Sequence, residues 1–320
     1  MSNNQQDLDP DDLYRNDEAL TRKWLPTYVD SLRPKTNVAI DFEFAESSDI
    51  NAFAQKTTNG YRISINKGLI KAFLVDLLDL YEHELSFRWL MIHRPNSGDS
   101  FRDGVGTILA IKDCFLVYVA LHELAHIVHG HLDWLQSTDG IGTLSQVYPN
   151  AVSNPRTFQA LEFDADLFAI RWTLLHFPYS RMSDKENVFR SPEVLGAAMA
   201  LLFNLLGDGV TPVCEYDVTD HPAPGVRFSC IVNLFSGLLS EKRSFWELST
   251  EAQKQWTEGC FGALQALREA GRCRLPIETL TGQEKNTLAV DPHIERHLLI
   301  SKRLQNIASE LSAHSPVQLW

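Results

Sequence analysis

An α+β fold, mainly helical with a small early sheet, is predicted by three features of the 320-residue sequence. Alternation of apolar and polar residues is confined to residues 37–66, where strands are expected. Apolar residues at helical spacing fill most of the chain from residue 68 onward. The strands come in one early run and do not alternate with helices, which is the order of an α+β chain.

Residues 11–32 have the pattern of an amphipathic helix that stops before Pro34. Residues 37–44 (NVAIDFEF) alternate as a half-buried strand does. Residues 50–53 form a short apolar segment, and the turn signal Asn59-Gly60 leads into a second strand. There Tyr61, Ile63 and Ile65 alternate with Arg62, Ser64 and Asn66. The Tyr61 to Asn66 strand is the expected sheet edge, where an extended substrate could pair with the backbone and meet Arg62 and Ser64.

Residues 68–92 turn helical, and 95–106 have loop composition. A long apolar helix spans 107–129, with Gly130 as its stop. Residues 136–154 are polar and Gly/Ser-rich, so a surface loop is expected. Pro155 opens a helix to residue 176, and 178–192 is again a loop. Further helices are expected over 191–206, 221–239, 244–270 and 291–312. The predicted organisation is an N-terminal helical segment (1–36), a catalytic domain (37–240) and a C-terminal helical extension packed on it (241–320).

Composition excludes several functions. A net charge of −12 argues against nucleic acid as a partner, because phosphate binding needs a basic face. Residues 1–12 lack the basic and apolar regions of a leader, and no apolar run reaches the roughly 18 residues that span a bilayer. A cytoplasmic protein with no membrane insertion is expected. Five scattered cysteines without a CxxC suit a reducing compartment and argue against a thiolate metal site.

The strongest chemical signal is His122-Glu123-Leu124-Ala125-His126 inside the apolar helix. Residues four apart lie about 40° apart around a helix, one turn above each other. Both imidazoles can therefore reach one cation from the same side, and zinc accepts nitrogen donors. Glu123, offset by about 100°, flanks the ion without displacing a histidine. Zinc held there, one per chain, would acidify a water, with Glu123 as general base. Leu121, Leu124, Ala125, Ile127 and Val128 bury the helix, and buried polar groups need partners.

Two similar-looking segments fail this test. His293 and His297 are also four apart, but their glutamate, Glu295, lies on the opposite face, as on a solvated helix. His83-Glu84 has Phe87 where a second histidine would be needed.

A third ligand is expected from a second helix. A metzincin pattern would need Gly at 129 and His at 132, where this chain has His129 and Leu132. Glu162 and Asp166 are four apart on a largely apolar helix, while Asp164 points away from their face. Glu162 is the expected ligand and Asp166 its rival; the other would accept the free N–H of a ligating histidine. His129, seven residues after His122, shares that residue's face and is expected to support the ligands.

The ordered set of HExxH followed by Glu162-x-x-x-Asp166 resembles the gluzincin peptidases of the M48 type. Asn51-Ala52-Phe53-Ala54, Gly60, Ile63 and Gly68-Leu69-Ile70 are similar to that family's hairpin before the catalytic helices. His221-Pro222, with Arg227 five residues after the proline, is similar to its C-terminal His-Pro motif. The resemblance spans roughly residues 37–235 and implies a zincin-type α+β fold with the small sheet next to the active-site helix, and a zinc endopeptidase acting on a protein or peptide substrate. It implies that His221 stabilises the oxyanion of the tetrahedral intermediate and that Arg227 contacts the loop or the substrate. Many members of that family are embedded in membranes, unlike what is expected here. The chain also resembles, more weakly, the soluble bacterial phage-exclusion peptidases, which would imply a host cytosolic protein as substrate. The competing class is a non-enzymatic, regulatory zinc-binding protein that keeps the ion as a structural staple; another alternative is a latent enzyme, its cleft covered by a loop such as 136–154 until an unknown partner moves it.

Overall fold

The computed structural model describes residues 14, 17–31, 39–82, 100–139, 143–145, 155–180, 191–207, 224–240, 250–275 and 292–315. Among them one sheet has the strand order β1-β3-β2-β4, with β1 at Ile40–Ala45, β2 at Ala52–Thr57, β3 at Gly60–Asn66 and β4 at Thr143–Ser145. β2 and β3 form the hairpin that Asn59-Gly60 announces, with Thr57 opposite Gly60. β1 runs parallel to β3, and β4 runs antiparallel to β2.

This topology corrects one expectation. β3 is not an edge, because β1 and β2 pair with it on both sides. Its second half, Ile63 to Asn66, is buried at every position, as in a strand covered on both faces. The outer strands among the described residues are β1 and β4. Arg62 instead forms ion pairs with Asp41 and Glu43, and the Ser64 hydroxyl donates to Glu43 Oε1 at 2.9 Å. The expected meeting of Arg62 and Ser64 with a substrate strand lapses with the edge.

Helix α1 (Asp17–Ser31) packs on β1, and α2 (Lys67–Glu82) follows β3 directly. The long apolar helix, α3, covers Ser100–Val128 and so takes in part of the expected 95–106 loop. It lies against the sheet through β2 and β3 and against α5 (Pro155–Ser180) and α6 (Ser191–Leu206). That central place explains why it is apolar all round. Gly130, at φ 78°, ends α3 in the left-handed region that glycine adopts without strain.

The segment after Gly130 is a second correction. Residues 136–139 continue α4 (His131–Asp139), and 143–145 form β4. The hydroxyls of Ser137 and Thr138 both donate to the Trp134 carbonyl, so residues that look like loop close a helical turn.

The remaining helices are α7 (Pro224–Ser240), α8 (Thr250–Glu269) and α9 (Pro292–His314). α6 and α8 cross closely at Gly259, where a Cβ would stand 2.0 Å from the Glu193 carbonyl oxygen. At the end of α9 the Ser315 hydroxyl donates to the Val128 carbonyl at 2.6 Å, satisfying an end group of α3. One hydrophobic core joins Leu25, Phe42, Ile63, Phe115, Phe203, Trp256 and Ile307. A smaller cluster of Ala160, Phe163, Val226 and Cys230 seats α7 on α5. No helix of the described residues is long and apolar enough to cross a membrane.

Candidate metal centre

Helical spacing on α3 stacks Tyr118, His122 and His126 on one face, and the same spacing on α5 stacks Glu162 and Asp166. The two faces meet because α3 and α5 pack against each other. The Nε2 atoms of His122 and His126 stand 3.2 Å apart. Glu162 reaches between them, with Oε2 at 3.4 Å from His122 Nε2 and Oε1 at 3.4 Å from His126 Nε2. All three residues are buried, as is Glu123.

Asp166 faces the back of His122. Its Oδ1 lies 2.9 Å from His122 Nδ1 and accepts from the Tyr118 hydroxyl at 2.7 Å. Arg227, from the first turns of α7, donates to both oxygens of Asp166, through Nε at 2.8 Å and a terminal nitrogen at 2.7 Å. Its other terminal nitrogen is 3.4 Å from Glu162 Oε2, and its guanidinium lies over the Phe203 ring at 5.3 Å. Burial pushes the Asp166 carboxyl up, but the Arg227 guanidinium and the His122 ring outweigh burial and hold it at about 2.

His126 is supported from another direction. Gly130 folds α4 back, so that His131 Nδ1 stands 3.0 Å from His126 Nδ1. His131 Nε2 is 3.0 Å from Asp164 Oδ2, and His129 Nδ1 bonds the same oxygen. His129 thus sits on Asp164, away from Glu162. The Asp164 carboxyl would be raised by burial, but His129 and His131 bring it well below the usual carboxylate range.

The donor set fits a zinc-type cation. Two imidazole nitrogens and a carboxylate oxygen, all within 4.8 Å of one another, are the ligands such an ion takes. Charge points the same way. Glu162 and Asp166 share the guanidinium of Arg227, and buried carboxylates draw positive charge to themselves. A proton on His122 is one answer: burial opposes it, but Asp166 and Glu162 raise the ring to about 9. A divalent cation between the three ligand residues is the other.

Residues 93–249 match the family model described as Peptidase U49. The match supports a peptidase. None of the curated proteins and none of the solved structures matches the chain. The Peptidase U49 span contains the whole buried cluster, from Tyr118 on α3 to Arg227 on α7.

Within that span the structure brings together His122, His126, Glu162, Asp166 and Arg227 as one buried group, and Glu123, next to His122 on α3, is buried as well. Arg227 is 4% exposed and its guanidinium is engaged by Asp166 and Glu162, so it braces the carboxylates, whereas the resemblance implies a contact with the loop or the substrate. His221 lies outside the described residues. Tyr118 and the His131–Asp164 pair escape a reading of the sequence, although each leaves a trace there. Tyr118 is one turn before His122 on the same face. His131 and Asp164 depend on the Gly130 turn, whose direction the sequence does not specify.

Proposed function

We propose that the chain is a zinc-dependent endopeptidase of the gluzincin type, with His122, His126 and Glu162 as metal ligands. The observation that carries this reading is the convergence of His122 Nε2, His126 Nε2 and the Glu162 carboxylate, inside the span matched to a peptidase family. Zinc, when bound, supplies Lewis acidity that lowers the pKa of water and polarises a carbonyl. The rest is the work of the chain's own residues.

Asp166, with Oδ1 at 2.9 Å from His122 Nδ1, favours a proton on that nitrogen and so leaves the ring's Nε2 lone pair for the metal. Tyr118 and Arg227 hold Asp166 in place for this task. Glu123, next to His122 on α3, takes the proton of the attacking water and passes it to the leaving amine. His221 is proposed as the donor to the oxyanion, a role worth about 10²–10³ in rate for a single donor. The M48-type resemblance of the hairpin and of Glu162-x-x-x-Asp166 supports the gluzincin assignment. Substrates are proteins or peptides.

One observation favours a second reading, latency. His122, Glu123, His126 and Glu162 are each no more than 1% exposed. A peptide chain reaching them requires a covering segment to move first.

The test compares wild type with Glu123→Gln. N-terminal labelling of a lysate treated with each protein should show new termini with wild type only. On a confirmed substrate the variant should be slower by about 10²–10⁴ while keeping its metal. Cleavage by both at similar rates contradicts the mechanism. Cleavage by neither, with zinc bound, supports latency.

A further inference from the structure

Two donor triads lie side by side among the described residues, His122–His126–Glu162 and His129–His131–Asp164. Both have the composition of a cation site. The contact between them decides whether both can be filled.

His126 Nδ1 and His131 Nδ1 stand 3.0 Å apart, within hydrogen-bond distance. A neutral imidazole has one N–H and one lone pair on nitrogen, so one Nδ1 donates and the other accepts. Suppose His126 gives its Nε2 lone pair to a cation. Its proton then sits on Nδ1 and is donated to His131 Nδ1. His131 must carry its own proton on Nε2, and that atom faces Asp164 Oδ2 at 3.0 Å, an acceptor in the right place. Now suppose a cation takes His131 Nε2. The proton of His131 moves to Nδ1, His126 becomes the acceptor, and the proton of His126 must sit on Nε2. That is the atom the first triad needs.

We infer that His131 and Asp164 are positioning residues that fix the tautomer of His126 and make the centre mononuclear. When the first triad is loaded, the second is held together by protons and takes no metal. The His129 ring, bonded to the same Asp164 oxygen, keeps that carboxylate turned towards His131. This inference rests on the proposed metal centre of His122, His126 and Glu162. It adds a claim of its own about the direction of each hydrogen bond in the chain His126–His131–Asp164.

Nitrogen-15 NMR of histidine-labelled wild type with one equivalent of zinc tests the inference directly. His126 should be protonated at Nδ1 and His131 at Nε2, and a zinc titration should saturate at one ion per chain. His131→Ala should bind zinc about 10–100-fold more weakly in chelator competition. His131→Asn, whose side-chain oxygen can stand near the lost Nδ1, should recover most of that affinity. A merely structural role for His131 would not give that rescue. His131 protonated at Nδ1, a second zinc of comparable affinity, or a folded His131→Ala with wild-type affinity each overturns the inference and leaves the metal centre standing. A wild type that takes up no zinc overturns both. If His131→Ala does not fold, the tautomers read in the wild type decide.

Discussion

Arg227 is the residue whose removal should be felt most widely. It is the cation shared by Asp166 and Glu162, and all three are buried. Breaking a buried ion pair from one side leaves an uncompensated charge, at a cost of about 3–5 kcal/mol. Arg227→Met should therefore lower stability by that order in urea unfolding, and should loosen metal binding by freeing Asp166 from its place behind His122. A stability change under about 1 kcal/mol would remove the guanidinium from this role. The pair also predicts a pH dependence. Asp166 is held at about 2 in the folded state against an ordinary value of 3.8. A depressed carboxyl contributes stability above its unfolded pKa and loses it as pH falls through the folded one. The contribution should fade between about pH 4 and pH 2, and Arg227→Met should flatten that part of the profile. At this scale the sequence is readable where one helix sets the geometry. His122, Glu123 and His126 are given by spacing on α3, and Glu162 with Asp166 by spacing on α5. The partners that cross between elements are not readable in the same way. Whether Arg227 reaches a substrate or a carboxylate depends on where α7 lands on α5, and periodicity says nothing of that.

The elements show how the site is held rather than what it does. α3 ends at Gly130, in a left-handed conformation, and the turn there aims His131 at His126. A Cβ at position 130 would stand 2.6 Å from both the His314 carbonyl carbon and the Ser315 nitrogen at the end of α9. Gly130→Ala should cost about 1–2 kcal/mol from the backbone conformation alone, and more from displacing α9. A drop in melting temperature, together with weaker zinc binding, is the expected outcome. An unchanged melting temperature would show that α9 does not brace this turn. The sheet is less legible than the helices. Alternation identifies β3 as a strand but misplaces it at an edge. The parallel partner β1 comes from earlier in the chain, and a pattern of alternating residues does not reveal which strands lie on either side. Likewise, β4 is three residues within a polar stretch, too short to carry a pattern, and its pairing with β2 comes from tertiary contact.

Among the described residues, apolar side chains of the helices and the sheet join in one core around α3, and the polar cluster of α3, α5 and α7 is buried with them. A site this dry strengthens the electrostatic pull among its charges and penalises any that is unmet. Under the proposed function a cation between His122, His126 and Glu162 meets these charges, and a peptide enters only after some movement. The α+β class and the order of the elements are legible in the sequence, since they depend on periods and turn residues. The closure of the site is not, because it depends on how separate helices pack. The central claim is that His122, His126 and Glu162 together hold one metal ion. Its most direct test is elemental analysis of purified wild type, Glu162→Ala and Asp41→Ala, the last as an exposed acidic control. About one zinc per chain in wild type and the control, with most of it lost in Glu162→Ala, is the predicted result. Equal zinc in wild type and Glu162→Ala, or none in wild type after zinc loading, would contradict it.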